Sequence, residues 1–265
     1  MQNDLPLARR DIIALRLERG EGAVANALAL EFGVSEDAIR RDLRALAAAG
    51  LCRRVYGGAL PLLPQADLPV SPASADMAVR MEQEPARKAA LARAAATLIR
   101  QNDLVFLDNG STNLAIVRFL PRDLGLTIVT NSIPIAAEVL KRSDLRLIVL
   151  GGTVDAHVGG CIDAHAIGQL MLLNIDRCFL GVCALSAVSG IASFHLADAS
   201  FKRALLAASA HVTVLVTSDK LETRAPFRIA DIGAIDQAIV EHDAPAAIVA
   251  ALTQAGATLL AAPPP

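Results

Sequence analysis

Tryptophan is absent from the 265 residues, and the other aromatics are one tyrosine and seven phenylalanines. The core must therefore be built from Ala, Leu, Val and Ile, and a hydrophobic content of 54% supplies enough of them. That content excludes a disordered or collagen-like chain. A surplus of one charge is also missing. Basic residues number 25 and acidic ones 27, so the whole chain gives no electrostatic case for nucleic acid or an anionic membrane. The cysteines (Cys52, Cys161, Cys178 and Cys183) form no C-x-x-C pair, and no histidine cluster has ligand spacing. This predicts a reducing, cytoplasmic setting with no metal centre and no cofactor. Lysine is scarce: Lys88, Lys141, Lys202 and Lys220 are the only four, so any of them beside a candidate site merits attention. Long apolar runs are missing too. The opening MQNDLPLARRD predicts no signal peptide. The charge-free stretches 178–197 and 244–265 are broken by Ser, Gly, His, Pro and Thr, which predicts no membrane span.

What is present divides the chain into three zones. Residues 1–60 have helical periodicity and end in Gly57-Gly58. Residues 61–80 carry Pro61, Pro64, Pro69 and Pro72 and read as an extended linker. Residues 81–265 alternate helical patterns with short apolar runs at 104–107, 127–129, 147–150, 178–182, 212–216 and 238–240. Continuous runs between helices predict an α/β domain with a mostly parallel sheet covered on both faces. Ligands of such sheets bind beyond the carboxyl ends of the strands, so the chemistry belongs to the residues just after each run.

In the first zone, Val24, Leu28 and Phe32 fall at four-residue steps on a helix that Gly33 can close. Ser35 is an N-cap for the next helix, with Glu36 and Asp37 at the positive end of its dipole. Ile39, Leu43 and Leu46 turn inward, leaving Arg40, Arg41 and Arg44 to reach phosphates or guanine edges. This is the helix-turn-helix pattern. The following CRRVYGGAL suggests a short β wing whose Arg53 and Arg54 meet the DNA backbone. The candidate DNA contacts are Ser35, Arg40, Arg41, Arg44, Arg53, Arg54, Tyr56 and Gly57. Residues 1–60 hold nine arginines against eight acids, but five of the nine lie between Arg40 and Arg54. The charge that matters is local.

In the third zone, the run 104–107 leads into Asp108-Asn109-Gly110-Ser111-Thr112, a turn that suits phosphate. The run 127–129 ends in Thr130-Asn131-Ser132, and 147–150 ends in Gly151-Gly152, where backbone can approach a ligand. The run 212–216 ends in Thr217-Ser218-Asp219-Lys220, whose lysine could supply a cation. Each alone is an ordinary cap or turn; their convergence on one sheet edge predicts a pocket.

The chain resembles the DeoR family of bacterial transcriptional regulators. The resemblance rests on Ile12, Leu28, Ala29, FGVSEDAIRRDLRAL, Gly50-Leu51, Arg54-Val55 and Gly57-Gly58, and runs from about Arg9 to Ala261. In the sensor zone it covers Asp108, Gly110, Ser111, Thr112, Thr130, Asn131, Gly151, Gly152, Lys202 and Lys220. It implies a winged helix-turn-helix domain, then a sensor domain resembling ribose-5-phosphate isomerase that responds to phosphorylated sugars. The effector residues it implies, together with Ser132, are Asp108, Gly110, Ser111, Thr112, Asn131, Gly151, Gly152, Lys202 and Lys220. Departures are Ala38 for Thr, Ser186, His195 and Thr217 for acidic residues, and Ser200 for a second carboxylate. Lost carboxylates remove candidate bases and hydroxyl acceptors, so the sugar-facing side is expected to be altered.

The expected function is a repressor of carbohydrate or related genes. It acts on double-stranded operator DNA, is controlled by a phosphorylated or anionic metabolite, and works as a homodimer or homotetramer. The alternatives are a sugar-phosphate isomerase-like enzyme with a DNA-binding appendage, which would need Asp108 as its base, and a regulator with a vestigial pocket. His157, His165 and His195 have no partner at informative spacing, so no catalytic residue is assigned.

Overall fold

A computed structural model describes residues 5–18, 23–49, 51–55, 58–61 and 68–265. They fall into two compact units divided between Asp67 and Leu68.

The first unit contains α1 (Leu5–Glu18), β1 (Ala23–Val24), α2 (Ala25–Phe32), α3 (Glu36–Ala48), β2 (Cys52–Val55) and β3 (Gly58–Pro61). The strands form one antiparallel sheet in the order β1-β3-β2. Ile13 and Leu17 of α1, Ala25, Leu28 and Ala29 of α2, and Ile39, Leu43 and Leu46 of α3 form its core. The apolar face expected at Val24, Leu28 and Phe32 is displaced. Val24 pairs with Gly58 in the sheet and is exposed, so the helix begins one residue later and buries Ala25 and Ala29 beside Leu28. Gly58 is obligatory here, because a Cβ would lie 2.1 Å from the Ala23 carbonyl oxygen.

The second unit opens with α4 (Met77–Glu82) and α5 (Pro85–Ala96), followed by β4 (Leu104–Leu107), α6 (Ser111–Ile116), β5 (Thr127–Thr130), α7 (Ile133–Val139) and β6 (Arg146–Val149). Next come β7 (Val154–Asp155), β8 (Gly160–Cys161), α8 (Ala164–Leu170), β9 (Arg177–Leu180), β10 (Ala184–Ser186), β11 (Gly190–Ser193) and α9 (Leu196–Ala207). It closes with β12 (Val212–Val216), β13 (Phe227–Ala230), β14 (Gln237–Val240), α10 (Ala246–Gln254) and β15 (Leu259–Ala261). Seven strands form a parallel sheet in the order β15-β14-β12-β9-β4-β5-β6. Alternate side chains feed two cores. Phe106, Cys178, Leu180, Val214 and Val240 join the side of α8 and α9; Val105, Leu107, Phe179, Leu215 and Ile239 join the side of α5 to α7. Burial on both faces is why these strands read as continuous apolar runs.

After β9, β10, β11 and β13 form a separate antiparallel sheet. One expectation needs correction. Residues 68–80, read as linker, are folded onto the second unit. Val70 bridges to Arg224, the Ser71 hydroxyl donates to the Cys183 carbonyl at 2.5 Å, and Met77 is buried. Pro72 starts a 3₁₀ turn, and the Pro69 carbonyl accepts the Arg224 N–H at 3.0 Å. No helix among the described residues is long and apolar enough to cross a membrane.

Candidate functional site

The turn of the helix-turn-helix is made locally. Gly33 adopts φ 63°, and the Val34 N–H reaches the Ala29 carbonyl at 3.0 Å. Ser35 accepts the Ala38 N–H at 3.3 Å, the N-cap that starts α3. A contact not anticipated from sequence orients the helix: buried Asp42 accepts Arg9 at 2.7 Å and Arg10 at 3.4 Å, tying α1 to α3. On the opposite face Arg40, Arg41 and Arg44 are exposed. Arg40 pairs with Glu36 at 2.8 Å, while Arg41 and Arg44 bond backbone carbonyls one turn back through Nε. Phosphate can replace such solvent-facing contacts at little cost. Arg54 is exposed on β2. Tyr56, Gly57 and the Arg53 side chain lie outside the described residues.

In the second unit, the chain moves from β4 outward through β5 and β6, then returns to place β9 on the other side of β4. The loops leaving β4 and β9 therefore flank a crevice at a topological switch point, where open α/β sheets bind ligands. The loops touch: the Gly181 N–H donates to Asp108 Oδ2 at 2.8 Å, and a Cβ on Gly181 would lie 2.3 Å from the Asn109 carbonyl. The inner crevice, about 30 Å³, is walled by Asn109, Gly110, Ser111, Thr112, Cys183 and Lys220, among others. An outer cleft of about 530 Å³ shares Ala73, Arg80, Ser111 and Lys220 with it and extends to Lys88, Ser218 and Glu241.

Beneath the crevice lies a buried ionic cluster. The Lys202 ammonium sits 2.7 Å from Asp198, 2.9 Å from Asp108 and 3.0 Å from the Asn109 amide oxygen. Ser193 donates to Asp198 at 2.5 Å. Asn131 accepts the Asn109 N–H at 3.2 Å and donates to the Cys161 carbonyl. Burial alone would lower the lysine's pKa, but the two carboxylates hold it well above its ordinary value. Burial raises Asp108 to about 6, opposed by Lys202 and reinforced by Asp198. Asp108, Asn131 and Lys202 thus brace the Asn109–Gly110 turn, the Lys202 charge being met by Asp108 and Asp198 although Lys202 also lines the inner crevice.

Lys220 is different. It is buried, and no carboxylate lies within ion-pair distance of its ammonium among the described residues. Burial lowers its pKa. Lys88 is pushed down to about 8, by burial first and then by Lys220 and Arg80. Three of the four lysines therefore converge here, and their scarcity was the signal that could have singled out Lys88.

Other predicted residues lie elsewhere. Ser132, Gly151 and Gly152 line neither cavity. The Gly151 N–H and carbonyl both bond the Gln169 amide, and Gly152 packs on Asp163, which caps α8 through the Ala166 N–H. Ser186 is also not a crevice residue: it bonds Glu222 and accepts the Val188 N–H in its own turn. His195 does line the inner crevice, stacked on His157 with ring centroids 5.9 Å apart. The partner that sequence spacing did not offer His157 is Asp76, at 2.5 Å and 81 positions away.

A reading helix on a small winged unit, joined to an α/β unit with a cationic crevice at its switch point, defines a DNA-binding regulator with a ligand-sensing domain. Residues 9–62 match the DeoR-like helix-turn-helix domain and residues 83–242 the DeoR C terminal sensor domain. The chain belongs to the DeoR family of transcriptional regulators. It is 28% identical over 240 residues to the glycerol-3-phosphate regulon repressor of Escherichia coli K12, covering 90% of this chain and 92% of the relative. It is 30% identical over 259 residues to the E. coli K12 HTH-type transcriptional regulator YgbI, covering 97% and 98%. Among solved structures it is similar to ribose 5-phosphate isomerase A of Methanocaldococcus jannaschii at 16% identity, with a TM-score of 0.38 over 51% of this chain and 53% of that one. At that TM-score the likeness carries no functional weight.

Proposed function

We propose that this regulator represses genes of carbohydrate or related metabolism and leaves its operator when a phosphorylated metabolite enters the crevice. The observation that carries this reading is Lys220, a buried lysine with no carboxylate within ion-pair distance among the described residues, at the switch point and close to Lys88 and Arg80. Burying an unpaired cation is costly, and a phosphate ester supplies the missing charge. Gly110, Ser111 and Thr112 complete the phosphate-facing wall. That a similar protein is a glycerol-3-phosphate regulon repressor favours the same ligand chemistry. Operator DNA is held by Arg40, Arg41, Arg44, Arg53 and Arg54 from a unit ending near residue 60, as a homodimer or homotetramer in the cytoplasm. Ser35 positions the reading helix. Catalysis is disfavoured because Asp108, the candidate base, lies beneath the crevice against Lys202.

The test is a mobility-shift assay on the region upstream of its own gene and on neighbouring promoters, with and without pentose, hexose and triose phosphates. Salt-sensitive binding relieved by one ester is expected. Absence of binding at every promoter, or turnover of an ester by the purified protein, would overturn the reading.

A further inference from the structure

Strand β6 is an edge of the seven-stranded sheet and pairs on one side, with β5. In that parallel ladder the Arg146 N–H donates to the Leu126 carbonyl at 3.2 Å and the Leu150 N–H to the Thr130 carbonyl at 2.9 Å. Alternate residues of a strand turn N–H and C=O to opposite sides, so Leu147, Val149 and Gly151 turn theirs outward. The chain covers one of these itself: the Gln169 amide accepts the Gly151 N–H and donates to the Gly151 carbonyl, both at 3.1 Å. Leu147 and Val149 have no such cover among the described residues, and past Arg146 the strand carries neither charge nor proline. Edges this bare are templates for pairing, and proteins ordinarily blunt or cover them.

Helix α7 packs on β5 and β6 beside the same edge. Ile135, Ala136 and Val139 are its buried side. Ile133, Ala137 and Leu140, at i, i+4 and i+7, form an outer stripe in which Ile133 is 46% and Leu140 74% exposed. With the right-handed crossover that parallel strands take, the right-handed winding of α7 turns this stripe beyond β6 and away from α6. Leu147 joins the core on the α7 side, so Val149, two residues on and exposed, points to that side as well.

We propose that this edge is the contact between two copies of the chain, β6 of one lying antiparallel to β6 of the other about a two-fold axis at Ile148. The interface rests on the homo-oligomer reading above and gives it a location. Symmetry specifies the occupant. About that axis Leu147 of one copy opposes Val149 of the other, each such pair exchanges both its bonds, and no outward group of β6 is left over. With strands about 4.8 Å apart, helices seated over β5 and β6 in each copy come about 10 Å from one another, the spacing of packed helices. They run antiparallel, Ile133 of one against Leu140 of the other, and Ala137 between them is small enough for the close approach. Neighbouring charges are met inside each copy, Lys141 by Glu138 at 2.6 Å and Arg142 by Asp144 at 2.5 Å, so two identical faces meet without net repulsion. A foreign strand would satisfy the edge but not the helix stripe; a second copy satisfies both.

The experiment takes the full chain, measuring its mass by light scattering and its dissociation constant by sedimentation equilibrium. The native chain is expected to be oligomeric. Ala137→Arg, at an exposed helix position, should weaken association roughly a hundredfold or halve the mass, because it sets like charges together at the axis. Ile148→Cys is the complementary variant. It places two thiols opposite each other in the close pair of antiparallel strands, Cα atoms about 4.5 Å apart and within disulfide reach. Mild oxidation should then give a covalent dimer that the native chain does not form. An oligomer whose mass and dissociation constant ignore Ala137→Arg, or the absence of that cross-link, would overturn this interface while leaving the homo-oligomer reading standing. A native chain that is monomeric at every concentration would overturn both and leave the edge to a different partner.

Discussion

Lys202 and Lys220 show how little a residue's identity says about its work. Both are buried lysines at the same edge of the sheet, and both lie on positions that the family resemblance marks. Lys202 is enclosed by Asp108, Asp198 and Asn109, and its charge belongs to the protein. Replacing it by Met leaves two buried carboxylates facing each other, and the loss should be about 3–5 kcal/mol. Urea denaturation at neutral pH measures it. Lys220→Met removes a buried cation with no ion pair among the described residues, so stability should change little or rise in the same measurement, while phosphate binding is lost. Equal destabilisation by the two substitutions would contradict this division. Spacing could place Lys220 after an apolar run and the family resemblance could mark Lys202; neither could say which one meets carboxylates, because Asp108 is 94 positions from Lys202 and joins it only through packing.

At the scale of elements, α3 was the most legible part of the chain. Its cap, its inward stripe and its arginine face are set by neighbours within about one turn, so local rules suffice. Ser35→Ala should cost about 1 kcal/mol by thermal or chemical denaturation, the usual value for a lost N-cap bond. Arg44→Ala should leave stability nearly unchanged and weaken operator binding. Where Arg44 meets a phosphate, the slope of log K against log salt falls by about 1; where it meets a guanine, preference at one base position relaxes instead. An unaltered affinity would remove Arg44 from the interface. Asp42, by contrast, sits in the same helix and reads as one more surface acid. Only the arrival of Arg9 and Arg10 from α1 makes it a buried anchor.

Over the sensing unit as a whole, the crevice collects cations whose pKa burial lowers. The ordinary lysine value of 10.5 falls to about 8 for Lys88, and Lys220 is lowered as well. Because these folded-state values are depressed, the unfolded chain binds more protons from about pH 8 upward, and the two groups make stability rise with pH through that window. A bound phosphate reverses the shift by favouring the charged amines. Phosphate-ester binding near pH 8 should therefore take up protons, an uptake that calorimetry in two buffers of different ionisation enthalpy detects and that Lys88→Met reduces. Proton release, or none, would contradict the placement of the anion. Arg80, Asp219 and Glu84 also act on Lys88, and of these the acids partly oppose its depression.

The sequence by itself determined the two-part organisation, the reading helix and the run of parallel strands, because each is written in periodicities of two to four residues or in turns closed by near neighbours. Of the crevice it determined the β4 turn and Lys220, which follow their strands directly. Tertiary structure decided the rest. Strand order put β9 beside β4 and so created the switch point, and the return of α5 and β14 brought Arg87, Lys88 and Glu241 to one cleft from opposite ends of the unit. The same packing sent Gly151 and Gly152 to Gln169 and Asp163, and the near-neutral composition of the chain concealed both the arginine face and the lysine crevice. The physical reason is one of range: caps, stripes and turns are settled within a few residues, whereas burial and ion pairing depend on which distant segments the sheet makes neighbours.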